Sequence, residues 1–155
     1  CQVQAGLGCR PVPAFDVSAA CSGFLYALSV GTQFVKTGAA RNALVVGSEV
    51  LSRALDMTDR NSCILFGDGA GAVVLSAAAA RTTGVRSVRL YADGTGRGLI
   101  EVPSRVTVPV PGEEPPPTHV SIAGREVFRF AVTRMVELIR EAEADDSVKA
   151  VVIIG

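Results

Sequence analysis

Tryptophan is absent from the 155 residues, and aromatic residues make up only 5% of them. A platform for stacking nucleobases needs a row of aromatic faces, so this composition argues against that function. Charge of one sign is lacking too, with 15 basic residues set against 15 acidic ones. The chain therefore offers no basic field for nucleic acid or for an anionic membrane surface. There is one histidine, His119, and no two of the cysteines (Cys1, Cys9, Cys21 and Cys63) have Cys-x-x-Cys spacing. A zinc centre needs about four convergent ligands, so no metal site is expected. No apolar run approaches the ~18 residues of a membrane span, and no signal peptide is visible. Four cysteines in so apolar a chain do not make a disulfide framework. They read as reduced thiols of a cytoplasmic protein.

What is present is apolar. The hydrophobic fraction is 48% and the charged fraction 19%, a balance that predicts a packed core rather than disorder. The first residue is Cys1 and the last run is Val151-Val152-Ile153-Ile154-Gly155. Both ends read as interior sequence, so the chain is expected to be part of something longer. Val12 to Ala20 reads as a buried strand. From Ser22, the spacing of Phe24, Leu25, Leu28, Phe34 and Val35 predicts a helix, with Gly38 as its stop. Ala43 to Gly47 reads as a fully buried strand, which completes a strand–helix–strand unit with a right-handed crossover. Ser48 to Arg60 is more polar and is expected to mix a short helix with loop. Ala72 to Leu75 and Val85 to Tyr91 read as strands, with Ala77 to Gly84 as a turn or loop. Pro103 to Pro117 holds six of the eight prolines and reads as a surface loop or lid. Gly124 to Ala144 is predicted to be a long helix with Val127, Phe128, Ala131, Val132, Met135, Leu138 and Ile139 on one face.

Cys21 is the candidate for chemistry. It lies where the expected strand gives way to the helix, flanked by Ala19, Ala20, Ser22 and Gly23. The partial positive charge of a helix start stabilises a thiolate, and backbone N–H groups there can hold a developing oxyanion. Small neighbours leave room for a substrate at the sulfur. The competing interpretation is a small buried hydrophobe, the ordinary role of cysteine. Gly67-Asp68-Gly69-Ala70-Gly71 lacks the Gly-Lys-Ser/Thr ending of a phosphate loop and precedes a strand, not a helix. It reads instead as backbone that packs or turns closely. Arg60, after Thr58-Asp59, is either a solvated surface charge or a grip for the phosphate or adenine of a large ligand. His119 has no titratable partner nearby in sequence and reads as structural.

Ala14-Phe15-Asp16-Val17-Ser18-Ala19-Ala20-Cys21-Ser22-Gly23-Phe24 resembles the nucleophile segment of the β-ketoacyl-acyl-carrier-protein synthase III family. Further blocks follow in the family's order: Leu44 to Glu49, Thr58-Asp59-Arg60 with Leu65 to Ala72, and Ala123 to Phe128. The resemblance implies a thiolase-like layered αβαβα fold, an α/β class, present here in part. Residues 1–84 would close the first half of that fold, and residues 85–155 would begin the second. It implies that Cys21 accepts an acyl group from acetyl-CoA or a similar acyl-CoA primer. Decarboxylative condensation with malonyl-acyl-carrier protein would follow, the step that initiates fatty acid synthesis. Acyl-CoA would be a substrate, and no cofactor would be permanently bound. Carried over by position, Arg60 would contact the adenine end of CoA. Leu65, Phe66, Gly124 and Phe128 would line the substrate pocket, and Arg129 would help dock the carrier protein. Homodimers are expected, with Leu44 to Ser48 near the partner. Relatives in the same fold make quinolone, polyketide or hydroxymethylglutaryl thioesters and form the alternative reading.

The family pairs its cysteine with a histidine in a Pro-His-Gln-Ala-Asn motif after the long helix, and with a later asparagine. Neither motif occurs in these 155 residues, and His119 does not match, because it precedes Gly124. The chain alone is therefore expected to lack condensing activity, and a non-catalytic fragment is a further alternative. After about residue 140 the sequence departs from the family pattern. Asp145 to Gly155 resembles the early strand of the crotonase family.

Overall fold

A computed structural model describes residues 1–78, 84, 85, 87–102 and 118–144. The proline-rich loop and the tail after residue 144 lie outside the described residues, as does most of the segment before Gly84. A short helix α1 spans Gln2–Gly6, α2 spans Gly23–Lys36 and α3 spans Gly124–Glu143. Strand β1 is Asn42–Val50, β2 is Asp68–Ser76, β3 is Ile100–Glu101 and β4 is Ser121–Ile122. β1 pairs with β2, and β3 runs antiparallel to β4 with Ile100 opposite Ile122. Two compact units result. Of the described residues, 1–47 with those between 72 and 90 form the first, and 48–71, 91–102 and 118–144 form the second.

In the first unit, α2 follows from the apolar spacing described above, and it ends where expected. Thr37 closes the last turn by donating to Gln33 O at 2.9 Å, and Gly38 adopts φ +75, a conformation glycine takes without steric penalty. Lys36 in the last turn complements the negative end of the helix dipole. Gly31 is the contact point with the sheet. A Cβ there would lie 3.0 Å from Val45 and 3.2 Å from Leu75, so α2 packs on β1 and β2 with no room for a side chain. Thr32 is buried beside it and turns its hydroxyl back to Leu28 O at 2.7 Å, which satisfies the polar group without a tertiary partner. Val45 is the buried residue of β1, with Ala43 and Gly47 half-buried on the same side. Leu44 and Val46 point the other way and are exposed. β1 is thus covered on one face, not both. Continuous apolar sequence does not by itself say how many faces are packed.

Two expected strands do not form. Residues 12–19 and 87–91 have no strand geometry. A strand exists only through a ladder to a neighbour, and none of the described strands lies alongside these segments. The expected strand–helix–strand unit is accordingly not completed among the described residues. Phe15 instead meets Phe34 of α2 at a ring separation of 6.1 Å, which ties the extended segment before Cys21 to the helix after it.

In the second unit, Leu55, Ser62 and Val120 are buried. Val120 N–H donates to Ala54 O at 2.8 Å, so the segment before β4 closes on the 3-10 turn Leu51–Ala54. Ser52 holds Asp68 at both carboxylate oxygens, through its N–H at 2.8 Å and its hydroxyl at 2.6 Å, and so fixes the start of β2. A Cβ at Gly67, Gly69 or Gly71 would meet nothing within 4 Å, and none of the three has positive φ. The close approach expected of that segment is not made by the described residues. α3 runs for 20 residues with Glu126 in its first turn and Arg140 in its last. Val127, Ala131, Leu138 and Ile139 are half-buried along it, whereas Phe128, Val132 and Met135 are exposed. Arg134 bonds Glu137 at 2.7 Å one turn on and covers the Phe130 ring.

Candidate active site

Cys21 occupies the middle of a 3-10 turn, Ala20–Ser22, that runs directly into α2. Its thiol is free and exposed. The turn is entered through Ala20, whose φ of +47 lies in the left-handed region. For an alanine this conformation costs about 1–2 kcal/mol, and such positions concentrate where function requires them. The turn consumes its own following donors. Ser22 N–H bonds Ala19 O at 3.1 Å, and Gly23 N–H bonds Ala20 O. The Cys21 N–H has no acceptor among the described residues. It is therefore the backbone donor left beside the sulfur. Gly47 of β1 is in contact with Phe24, where a Cβ would stand 3.2 Å from the ring. The absence of a side chain there lets the first turn of α2 seat against the strand.

Arg60 and the other predicted binding residues belong to the second unit. Arg60 is exposed and sits between two carboxylate-stapled turns. In the first, Asp56 accepts from the Thr58 hydroxyl at 2.7 Å and the Thr58 N–H at 2.8 Å. Those bonds, with His119 as a nearby positive influence, hold the Asp56 carboxyl below its ordinary 3.8. In the second, Asp59 accepts from the buried Ser62 hydroxyl at 2.7 Å, from Asn61 N–H at 3.0 Å and from Asn61 Nδ2 at 3.1 Å. The Ser62 bond and then the Asn61 N–H are the main causes of its lowered pKa. Neither aspartate is among the binding residues that the resemblance implies. Their signal was the Asp-x-Thr and Asp-x-Asn-Ser spacing, which is the pattern of a side chain capping its own turn.

An open cleft of about 600 Å³ lies in this unit. Asp56, Asp59, Asn61, His119, Gly124 and Arg125 are among its walls. Of the predicted binding residues, Gly124 alone lines it. Leu65, Phe128 and Arg129 are exposed, and Phe66 is half-buried. Thr118 Oγ1 lies 3.1 Å from His119 Nδ1 at the rim.

The sequence profile of 3-oxoacyl-[acyl-carrier-protein (ACP)] synthase III matches residues 15–94, more than half of the chain and inclusive of Cys21 and Arg60. The chain belongs to the 3-oxoacyl-[acyl-carrier-protein] synthase III family. It is 50% identical over 154 residues to a β-ketoacyl-[acyl-carrier-protein] synthase III of Rhodospirillum rubrum, covering 96% of this chain and 46% of that protein. The match therefore continues beyond Arg140. The Serratia proteamaculans enzyme of the same name is 48% identical, over 91% of this chain and 43% of its own length. The chain thus spans less than half the length of these relatives. Among solved structures, the family members from Thermus thermophilus and Aquifex aeolicus both superpose with a TM-score of 0.76. Their identities are 39% and 42%, over 85% and 91% of this chain and 40% and 42% of theirs. The thiolase-like α/β fold implied by the resemblance is the fold this chain shares with them, in part. No described helix is long and apolar enough to cross a membrane.

Proposed function

We propose that this chain carries the acyl-accepting half of a β-ketoacyl-[acyl-carrier-protein] synthase III, with Cys21 as nucleophile. The observation that supports this most is the exposed Cys21 thiol on a strained turn at the start of α2, inside the segment matched to the family. The Cys21 thiolate attacks the thioester carbonyl of acetyl-CoA or a similar primer. The tetrahedral oxyanion is held by the Cys21 N–H, and the CoA thiolate then departs, leaving the acyl group on Cys21. The first product leaves before the second substrate reacts, which is ping-pong chemistry. Malonyl-acyl-carrier protein then loses CO₂, and its carbanion displaces the Cys21 sulfur to give a β-ketoacyl-carrier product. A thiol nucleophile and two thioesters supply this chemistry without a resident cofactor.

Arg60 in this reading contacts the adenine end of CoA. Leu65, Phe66, Gly124 and Phe128 line the path of the substrate, and Arg129 faces the acidic carrier protein. The protein acts as a cytoplasmic homodimer. Incubation of the intact protein with acetyl-CoA and malonyl-acyl-carrier protein should yield a β-ketoacyl-carrier product, and its absence would overturn the reading. A second reading is the priming of polyketide synthesis. The priming β-ketosynthase of the R1128 polyketide pathway superposes with a TM-score of 0.72 at 37% identity. Faster turnover with a longer starter thioester than with acetyl-CoA would favour it.

A further inference from the structure

We propose that Asp59 is a positioning residue for Arg60, fixing the backbone that carries it and leaving its guanidinium unpaired for the anionic end of CoA; this rests on the reading that Arg60 contacts CoA. Asp59 is the immediate neighbour of Arg60 and carries the opposite charge, but the two do not pair. Both Asp59 oxygens are committed elsewhere, Oδ1 to the N–H and Nδ2 of Asn61 and Oδ2 to the hydroxyl of Ser62. Arg60 has no carboxylate partner among the described residues.

The bonds also immobilise the backbone on both sides of Arg60. Asp59 N–H donates to Asp56 O at 3.1 Å, and Cys63 N–H donates to Asp59 O at 3.0 Å. Ser62 is the anchor of this arrangement, with 1% of its surface exposed. Its hydroxyl reaches the carboxylate from within the protein, whereas Arg60 stands at the surface. Asp59 is therefore bonded to a buried hydroxyl, and Arg60 is left exposed. An arginine so held has less freedom to lose when an anionic ligand engages it, which is the general advantage of preorganisation.

The test is a double-mutant cycle on the intact protein. CoA affinity is read by titration calorimetry, and the rate of Cys21 acylation is read at saturating acetyl-CoA. Asp59→Ala should weaken CoA binding about tenfold and leave the saturating rate near that of the parent. Asp59→Asn, which keeps one acceptor for the Asn61 N–H, should recover part of the loss. In an Arg60→Ala background, Asp59→Ala should produce no further loss. Ser62→Ala gives a second route to the same effect if Asp59→Ala lowers the melting temperature too far. Equal losses from Asp59→Ala with and without Arg60, or no loss at all while Arg60→Ala weakens binding, would overturn the proposal and leave the role of Arg60 standing. An Arg60→Ala protein that binds CoA as tightly as the parent would overturn both.

Discussion

Ala20 bears the unusual backbone of the turn before α2, and side-chain size tests how firmly the fold holds it there. Glycine accepts φ +47 freely, whereas a β-branched residue does not. Ala20→Gly should leave the melting temperature unchanged or raise it, and Ala20→Val should lower stability by about 1–3 kcal/mol. Denaturant titration of the two variants checks the pair. Asp56, Asp59, Asp68 and Asp93, each bonded by a neighbouring hydroxyl, make a second prediction at this scale. Asp56 and Asp93 are lowered first by the hydroxyls of Thr58 and Thr95, Asp59 by that of Ser62, and Asp68 by that of Ser52. A carboxyl that binds its proton less readily when folded stabilises the fold above the unfolded carboxylate range. That stabilisation is lost as pH falls through the range and on to the lowered folded values. The melting temperature should therefore drop on acidification below about pH 4, and Asp59→Asn should flatten part of that drop. Part of this is legible in the sequence. The Asp-x-Asn-Ser spacing marks Asp59 as a side chain that caps its own turn, whereas Ala20's left-handed backbone does not follow from its residue type.

At the scale of elements, the helices were legible because a 3.6-residue period and a terminal glycine are local signals. α2 and α3 lie where Phe24 to Val35 and Val127 to Ile139 predict them. The strands divided by whether a partner was present. β1 and β2 pair and were anticipated, whereas residues 14–17 and 87–91 have no ladder among the described residues. Sequence alternation reports what a segment can do, and only tertiary structure supplies its neighbour. The tightest joint among these elements is at Gly31. Replacing it with alanine improves helix propensity by about 1 kcal/mol. The new methyl nevertheless meets Val45 and Leu75 at 3.0 and 3.2 Å, and overpacking of this kind costs about 1–3 kcal/mol. Since both neighbours are branched and Val45 is buried, repacking should outweigh propensity, and Gly31→Ala should be destabilised on thermal melting. A more stable variant would show that α2 shifts freely on the sheet.

At the scale of the whole molecule, the chain matches its family's profile over residues 15–94 and spans less than half the length of its relatives. The family's histidine and asparagine motifs do not occur in the 155 residues. Acyl transfer to sulfur and decarboxylative condensation make different demands. The first needs a thiolate and an oxyanion donor, while the second also needs groups that stabilise a developing carbanion. The 155 residues by themselves should therefore give no β-ketoacyl product from acetyl-CoA and malonyl-acyl-carrier protein, as read by chromatography of the carrier-bound thioesters. Acylation of Cys21, the proposed first step, is separable from condensation. Intact-mass and peptide-mapping spectrometry after brief exposure to acetyl-CoA, on the parent protein and on Cys21→Ala, tests it directly. A single acetyl group should appear on the peptide containing Cys21, and none on the variant. An unmodified parent, or an acetyl group that persists when Cys21 is gone, would contradict it.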